Sequence, residues 1–489
     1  MSPDEPASPE RLDAQFNQIV QRSYGPDVPQ WPSAAQPSPN PPHQNPQNPT
    51  PYANQPYPNQ PYPNQPYPTP QYPGPYGVPQ NPQRPRKTGR IVALVTSLMA
   101  IVCLIGLAFA AAALNAMPKD RQTEPPTESE LVADQVRTAL AKQRTALLAG
   151  DETAYLSVLD GSIDAADKAA LGRQFRSLRA MKVVEWRDQV MTSTDLPDSD
   201  LWDVDVISSA CFVVNPCPEG QAASNTKWRI AEGTARLADW DAGRHPHPWQ
   251  ASELVAKVGK RVVAATTKDL EKDLANVLKA AEDAAKVADR FTQNKPPARY
   301  VVYYAGANEW KTWFLTKPPD WSAGVAVDVS DDRYEVVLNA EEMDDLMPLY
   351  LRHELTHASS MPGKVSTGEK YWYLMEGIAE LAALDGAPAR EHPGLRSVPA
   401  ALAASGSKGF RLEAPGADAK EEVVDGSYAV AFLSARCMAE RFGERKFVEF
   451  FHAVLHENKP EEKASDEVFG MEWAALSRDC LDYVRSIAG

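Results

Sequence analysis

The chain has 489 residues, long enough for two or three folded units, with 65 Asp and Glu against 50 Lys and Arg. A net charge of −15 excludes an electrostatic nucleic-acid binder. Composition is uneven along the chain: 25 of the 44 prolines precede Lys87, which separates a tail from a folded body.

Residues 1–86 are rich in Pro, Gln, Asn and Tyr, and the block Gln55-Pro56-Tyr57-Pro58-Asn59 recurs from Gln60 and again, with a final Thr69, from Gln65. Such a segment buries too little apolar surface to offset chain entropy, so a disordered tail with polyproline II character is expected. It reads as a flexible spacer or as a docking segment for a cytoplasmic partner. From Ile91 to Met117 there is no charged residue and most side chains are Ala, Val, Leu or Ile, enough to cross a hydrocarbon core. Arg84, Arg86, Lys87 and Arg90 precede that span, against Lys119 and Arg121 after it. This bias places the tail in the cytoplasm and the later residues outside, which makes the lipid bilayer a partner. Cys103 falls in the span, and the other four cysteines lie on the expected outer side, where disulfides are permitted. Cys211 and Cys217 bracket a loop short enough for a local bridge; Cys437 and Cys480 then pair by elimination, unless all four are buried thiols.

Beyond a polar linker, Val132, Val136, Leu140 and Leu147 recur at helical spacing, and Gly150-Asp151 ends that helix. A second short helix runs through Tyr155 and Leu159. Strands are expected at Val183–Trp186, Trp202–Val206, Cys211–Val214 and Trp228–Leu237. Helices followed by a curved antiparallel sheet resemble the NTF2-like cone fold, and the resemblance implies a spacer or a small-ligand holder.

The most informative stretch follows Asn339. Asp345 and Pro348 suit a helix start, after which Leu346, Leu349, Tyr350, His353 and His357 share a face. His353-Glu354-Leu355-Thr356-His357 is an HExxH motif: on a helix the two imidazoles are one turn apart and both reach a single zinc ion. Glu354 is rotated by about 100 degrees from His353 and is free to act as a base toward a metal-activated water. Glu376 follows His357 by nineteen positions within Trp372–Glu380, so a helix–loop–helix brings it to the open side of the ion. Two His and one Glu with a free coordination position make a catalytic and not a structural zinc site. Glu380, one turn beyond, is placed to accept a hydrogen bond from a ligand imidazole.

These residues resemble the gluzincin metallopeptidases, in the peptidase-MA-like branch where HExxH is followed by an E-G-x-A-E segment, here Glu376 to Glu380. The resemblance implies that Glu376 is the third ligand, that Glu354 is the general base, and that a strand bordering the cleft pairs with an extended peptide or protein substrate. It also implies a tyrosine donor to the developing oxyanion, for which Tyr428 is the candidate. The metzincin pattern fails, because Ser360 and Gly363 stand where Gly and His are required. The remaining histidines, His43, His245, His247, His392, His452 and His456, read as solvent-facing.

The expected fold is therefore α+β: a disordered tail (1–86), one transmembrane helix with its basic flank (87–117), an NTF2-like cone (125–243) and a mainly helical gluzincin domain with a small antiparallel sheet (250–489). The expected function is a membrane-anchored, extracytoplasmic zinc metallopeptidase. The rival is a non-catalytic zinc-containing protein for ligand binding or cell-envelope assembly.

Overall fold

The computed structural model describes residues 126–489 apart from 198, 315–321, 344, 366–368, 407, 408 and 417. The tail with His43, and the apolar span from 91 to 117, lie outside the described residues. Among the described residues no helix is long and apolar enough to cross a membrane. That finding stands against the single-pass membrane assignment, and nothing among the described residues supports a bilayer partner or an extracytoplasmic placing. The two longest described helices, of 22 residues each, carry charged residues and bury apolar side chains in the protein core.

Helix α1 (Glu128–Ala149) starts at a capping box in which Thr127 and Glu130 satisfy each other's backbone donors, and it stops at Gly150 in the left-handed region. After α2 (Glu152–Tyr155) and α3 (Ala165–Ala180) come four strands: β1 (Val183–Asp195), β2 (Leu201–Phe212), β3 (Ala222–Ala231) and β4 (Thr234–Asp241). They form an antiparallel meander in the order β1-β2-β3-β4. The expected strand from Cys211 to Val214 is the end of β2, and the stretch from Trp228 to Leu237 is divided by the Glu232-Gly233 turn between β3 and β4.

The chain then runs through α4 (Pro248–Ala251), β5 (Leu254–Val258), β6 (Val262–Thr267), α5 (Leu274–Ala288), β7 (Tyr300–Ala305) and α6 (Ala307–Thr312) to the hairpin β8 (Gly324–Ser330) and β9 (Arg333–Asn339). The sheet they build corrects the expectation of a small antiparallel one. It has five strands in the order β5-β6-β7-β9-β8, and the β6–β7 and β7–β9 pairs are parallel. Parallel strands need covering on both faces, and β6 and β7 are near-continuous apolar runs for that reason. Val262, Ala264, Tyr300, Val302, Val336 and Leu338 pack with α5 on one face. Val263, Ala265, Val301, Tyr303 and Val337 join the core of the four-stranded sheet on the other. Buried polar groups cross that second contact. Tyr303 donates to Glu335 at 3.0 Å, and Arg333 bonds the other Glu335 oxygen at 2.5 Å and the Ala210 carbonyl at 2.6 Å.

The rest is helical: α7 (Met347–Ser360), α8 (Trp372–Ala383), α9 (Val398–Ser405), α10 (Glu421–Phe442), α11 (Glu444–Leu455), α12 (Glu461–Phe469) and α13 (Trp473–Ala488). Helix α7 lies against α5 and the sheet through Leu351, Leu355 and Ala358, while α8 and α10 share a second core of aromatic and aliphatic side chains. Gly377 sets the α8–α10 distance: a Cβ there would stand 2.8 Å from the Ala431 carbonyl oxygen. Both disulfides form, Cys211–Cys217 from the end of β2 to the loop after it and Cys437–Cys480 between α10 and α13.

Candidate metal centre

Two helices carry the site. On α7, residues four apart project from one face, so His353 and His357 stand side by side with ring centroids 4.8 Å apart. The loop after α7 turns the chain back, and α8 packs alongside with Glu376 aimed at both rings. His353 Nε2 and His357 Nε2 are 3.1 Å apart, and Glu376 Oε2 is 3.2 Å from the first and 3.3 Å from the second.

These three donors suit a zinc ion. Tetrahedral bonds of about 2.0–2.1 Å place neighbouring donor atoms roughly 3.3 Å apart, close to all three edges observed. Two imidazole nitrogens and one carboxylate oxygen are a zinc donor set, and three protein donors leave a fourth position for water or substrate. Charge points the same way. Three carboxylates, Glu354, Glu376 and Glu380, crowd two imidazoles in a largely buried site, an arrangement a dication relieves.

Each side chain is tuned by its neighbours. Burial alone pushes His353 down, but Glu376 and Glu380 outweigh it and hold the imidazole well above its ordinary range. Burial opposes ionisation of Glu376 and Glu380 as well. Their histidine partners win, taking Glu376 below the usual carboxylate range and Glu380 to about 2. Glu380 Oε1 accepts the Nδ1–H of His353 at 2.9 Å, which leaves the Nε2 lone pair of His353 turned to the ion site. Glu354 is buried and is not one of the three donors that face one another. Burial raises its pKa against the pull of His353 and His357, and the Ala326 backbone N–H donates to it. Strand β8 passes directly over this carboxyl, since a Cβ on Gly324 would stand only 3.0 Å from Glu354 Cγ and Oε1.

Tyr428, on α10, has its ring 6.1 Å from that of His353 and 5.2 Å from that of Trp372. Burial first, and then Glu376, Glu380 and Glu354, push its phenol well above the usual value, so it stays a proton donor. In the five-stranded sheet β7 is central, and β8 is the edge strand beside the site.

Two expectations about other histidines are corrected. His392 and His247 are buried, not solvent-facing. His392 Nε2 lies 3.0 Å from Glu380 Oε2, and His247 Nε2 lies 3.1 Å from the Gln221 carbonyl. His245, His452 and His456 are partly buried, and His456 bonds the Ser360 carbonyl at 2.8 Å. Besides His392, sequence reasoning misses the contacts of Gly324 and Ala326 with Glu354. Tyr350, which helical spacing puts on the face of His353 and His357, lies among the site's carboxylates, where burial and then Glu380 raise its pKa. Nothing local in the sequence marks Gly324 or Ala326.

No protein-family model matches the chain, and no curated protein matches it. Among solved structures it is similar to an M1 zinc metallopeptidase from Deinococcus radiodurans, at 12% identity and a TM-score of 0.32, over 61% of each chain. It is similar to native yeast LTA4 hydrolase at 12% identity and a TM-score of 0.33, over 56% of this chain and 49% of that one. A Mycobacterium tuberculosis protein of unknown function matches 22% of this chain and 67% of its own, at 11% identity and a TM-score of 0.17. The chain thus spans about half to three fifths of the length of the Deinococcus and yeast neighbours. At such scores the likeness carries no argument about activity, and the functional reading rests on the site itself.

Proposed function

We propose that the chain is a zinc-dependent peptidase whose ligands are His353, His357 and Glu376. The observation that carries this reading is the triangle of three donor atoms with edges of 3.1, 3.2 and 3.3 Å, beside a buried carboxyl that is not one of them. When bound, zinc supplies a water of lowered pKa and a Lewis acid for the scissile carbonyl. Glu354 takes the proton of the attacking water and hands it to the leaving amine. Glu380 holds His353 in the tautomer whose Nε2 lone pair faces the ion. The Tyr428 hydroxyl donates to the oxyanion that develops on the carbonyl. Strand β8, at the sheet edge and over Glu354, supplies main-chain groups that an extended peptide can pair with, which favours peptides over other acyl substrates. In this reading residues 250–489 are the catalytic unit, and residues 125–243 an NTF2-like spacer or ligand holder.

The test is cleavage of casein by the purified protein after chelation and after return of one equivalent of zinc. Cleavage that stops with the chelator, returns with zinc and is absent from His357→Ala supports the peptidase. Stoichiometric zinc without turnover identifies the non-catalytic binding protein instead.

A further inference from the structure

The zinc reading leaves one side chain of the site without a task. His392 sits in the loop between α8 and α9, 5% exposed, with its ring stacked on Phe432 of α10 at 5.1 Å and 29°. Its Nδ1 accepts the Gly394 backbone N–H at 3.0 Å, so the ring proton is on Nε2. That proton is donated to Glu380 Oε2 at 3.0 Å, while the other oxygen of the same carboxylate accepts from His353 Nδ1 at 2.9 Å. Every proton in the chain Gly394, His392, Glu380, His353 is therefore assigned by its neighbour, and the last link is a zinc donor. The other imidazole donor has no such support: His357 Nδ1 is buried and has no hydrogen-bond partner among the described residues.

We propose that His392 is a positioning residue of the metal centre, which, through Glu380, orients the His353 imidazole toward zinc. The inference rests on the zinc reading above. Glu380 is attached to α8 by a flexible side chain, and a single hydrogen bond to His353 leaves it free to turn about that contact. The second bond, from a loop packed on a different helix, removes that freedom. Loss of His392 also strands a buried carboxylate oxygen, which Glu380 relieves by turning toward water and releasing His353. Outer partners of metal-bound histidines are worth about 10–100-fold in metal affinity. Here the support is concentrated on one of the two imidazoles, so the whole site depends on it.

The experiment is zinc affinity of the full chain, measured by competition with a chromophoric chelator, for the native protein, His392→Phe and His392→Gln. Phenylalanine keeps the stacking on Phe432 and removes both hydrogen bonds; glutamine restores a donor toward Glu380. The expected result is a loss of about tenfold or more for His392→Phe and affinity within about threefold of native for His392→Gln. If His392→Phe does not fold, His392→Asn takes its place, since its shorter amide pairs with Gly394 but falls short of Glu380. Equal affinity in all proteins, or equal loss in the Phe and Gln variants, overturns the proposal and leaves His392 a packing residue. Failure of the native chain to take up one zinc ion overturns the metal-site reading itself, and this inference with it.

Discussion

Replacing Glu354 by Gln separates the base from the metal more cleanly than any other substitution in this site. The amide is nearly isosteric, and its carbonyl oxygen still accepts the Ala326 N–H, so β8 keeps its place over the helix. Glu354 is not among the three donor atoms that face one another, so zinc binds one to one with affinity close to native. What disappears is the group that takes the water proton. A positioned general base contributes about 10²–10⁴-fold, which corresponds to roughly 2.7–5.4 kcal/mol at 1.36 kcal/mol per tenfold. Stability of the zinc-free protein is expected to hold or rise, because a buried carboxyl crowded by Glu376 becomes neutral. The assay pairs zinc content of the dialysed variant with kcat/KM on a quenched fluorescent peptide. Turnover within tenfold of native at full zinc occupancy would refute Glu354 as the base. Loss of zinc would show that Glu354 is a ligand and that the donor set has been assigned wrongly.

Two further outcomes follow from the parts that support the site. Asp188, which accepts from Trp186 Nε1 and Ser208 Oγ at 2.8 Å each, is raised by burial from 3.8 to about 6. A carboxyl whose folded pKa is raised destabilises the fold when ionised: the penalty is absent below about pH 4 and complete above about pH 6. Asp188→Asn is therefore expected to match the native protein near pH 4 and to exceed it by about 2–3 kcal/mol at pH 7.5, measured by urea unfolding; a difference independent of pH contradicts this. The Cys437–Cys480 bridge closes a loop across 43 positions, and the double Ala variant should lose about 4 kcal/mol on the chain-entropy account, seen as a lowered denaturation midpoint.

Much of the site is legible in the sequence, for a local reason. A helix places residues four apart on one face, so the pairs His353 with His357 and Glu376 with Glu380 are set by spacing alone. The same periodicity marks α1, and alternation marks β2. The sheet beneath the site is not legible in this way, because its strands pair across long crossovers. A hairpin announces itself through its turn, whereas the parallel neighbours β6, β7 and β9 come from segments separated by helix α5 or by the long stretch leading into β8, and nothing local says which pairs with which. His392 escapes a reading of the sequence for the same reason: a histidine in a His-Pro-Gly loop looks exposed until α10 is seen to cover it.

The sequence by itself determined the donor types, their order on two helical faces and the separation of Glu354 from the other carboxylates, because helical geometry is a short-range property. Only the tertiary structure decided that Glu376 reaches both imidazoles, that β8 and not β7 borders the site, and that His392 stands behind Glu380. Those contacts depend on how helices and strands distant in the chain pack against each other, and that is settled by burial of whole faces, not by the spacing of neighbours.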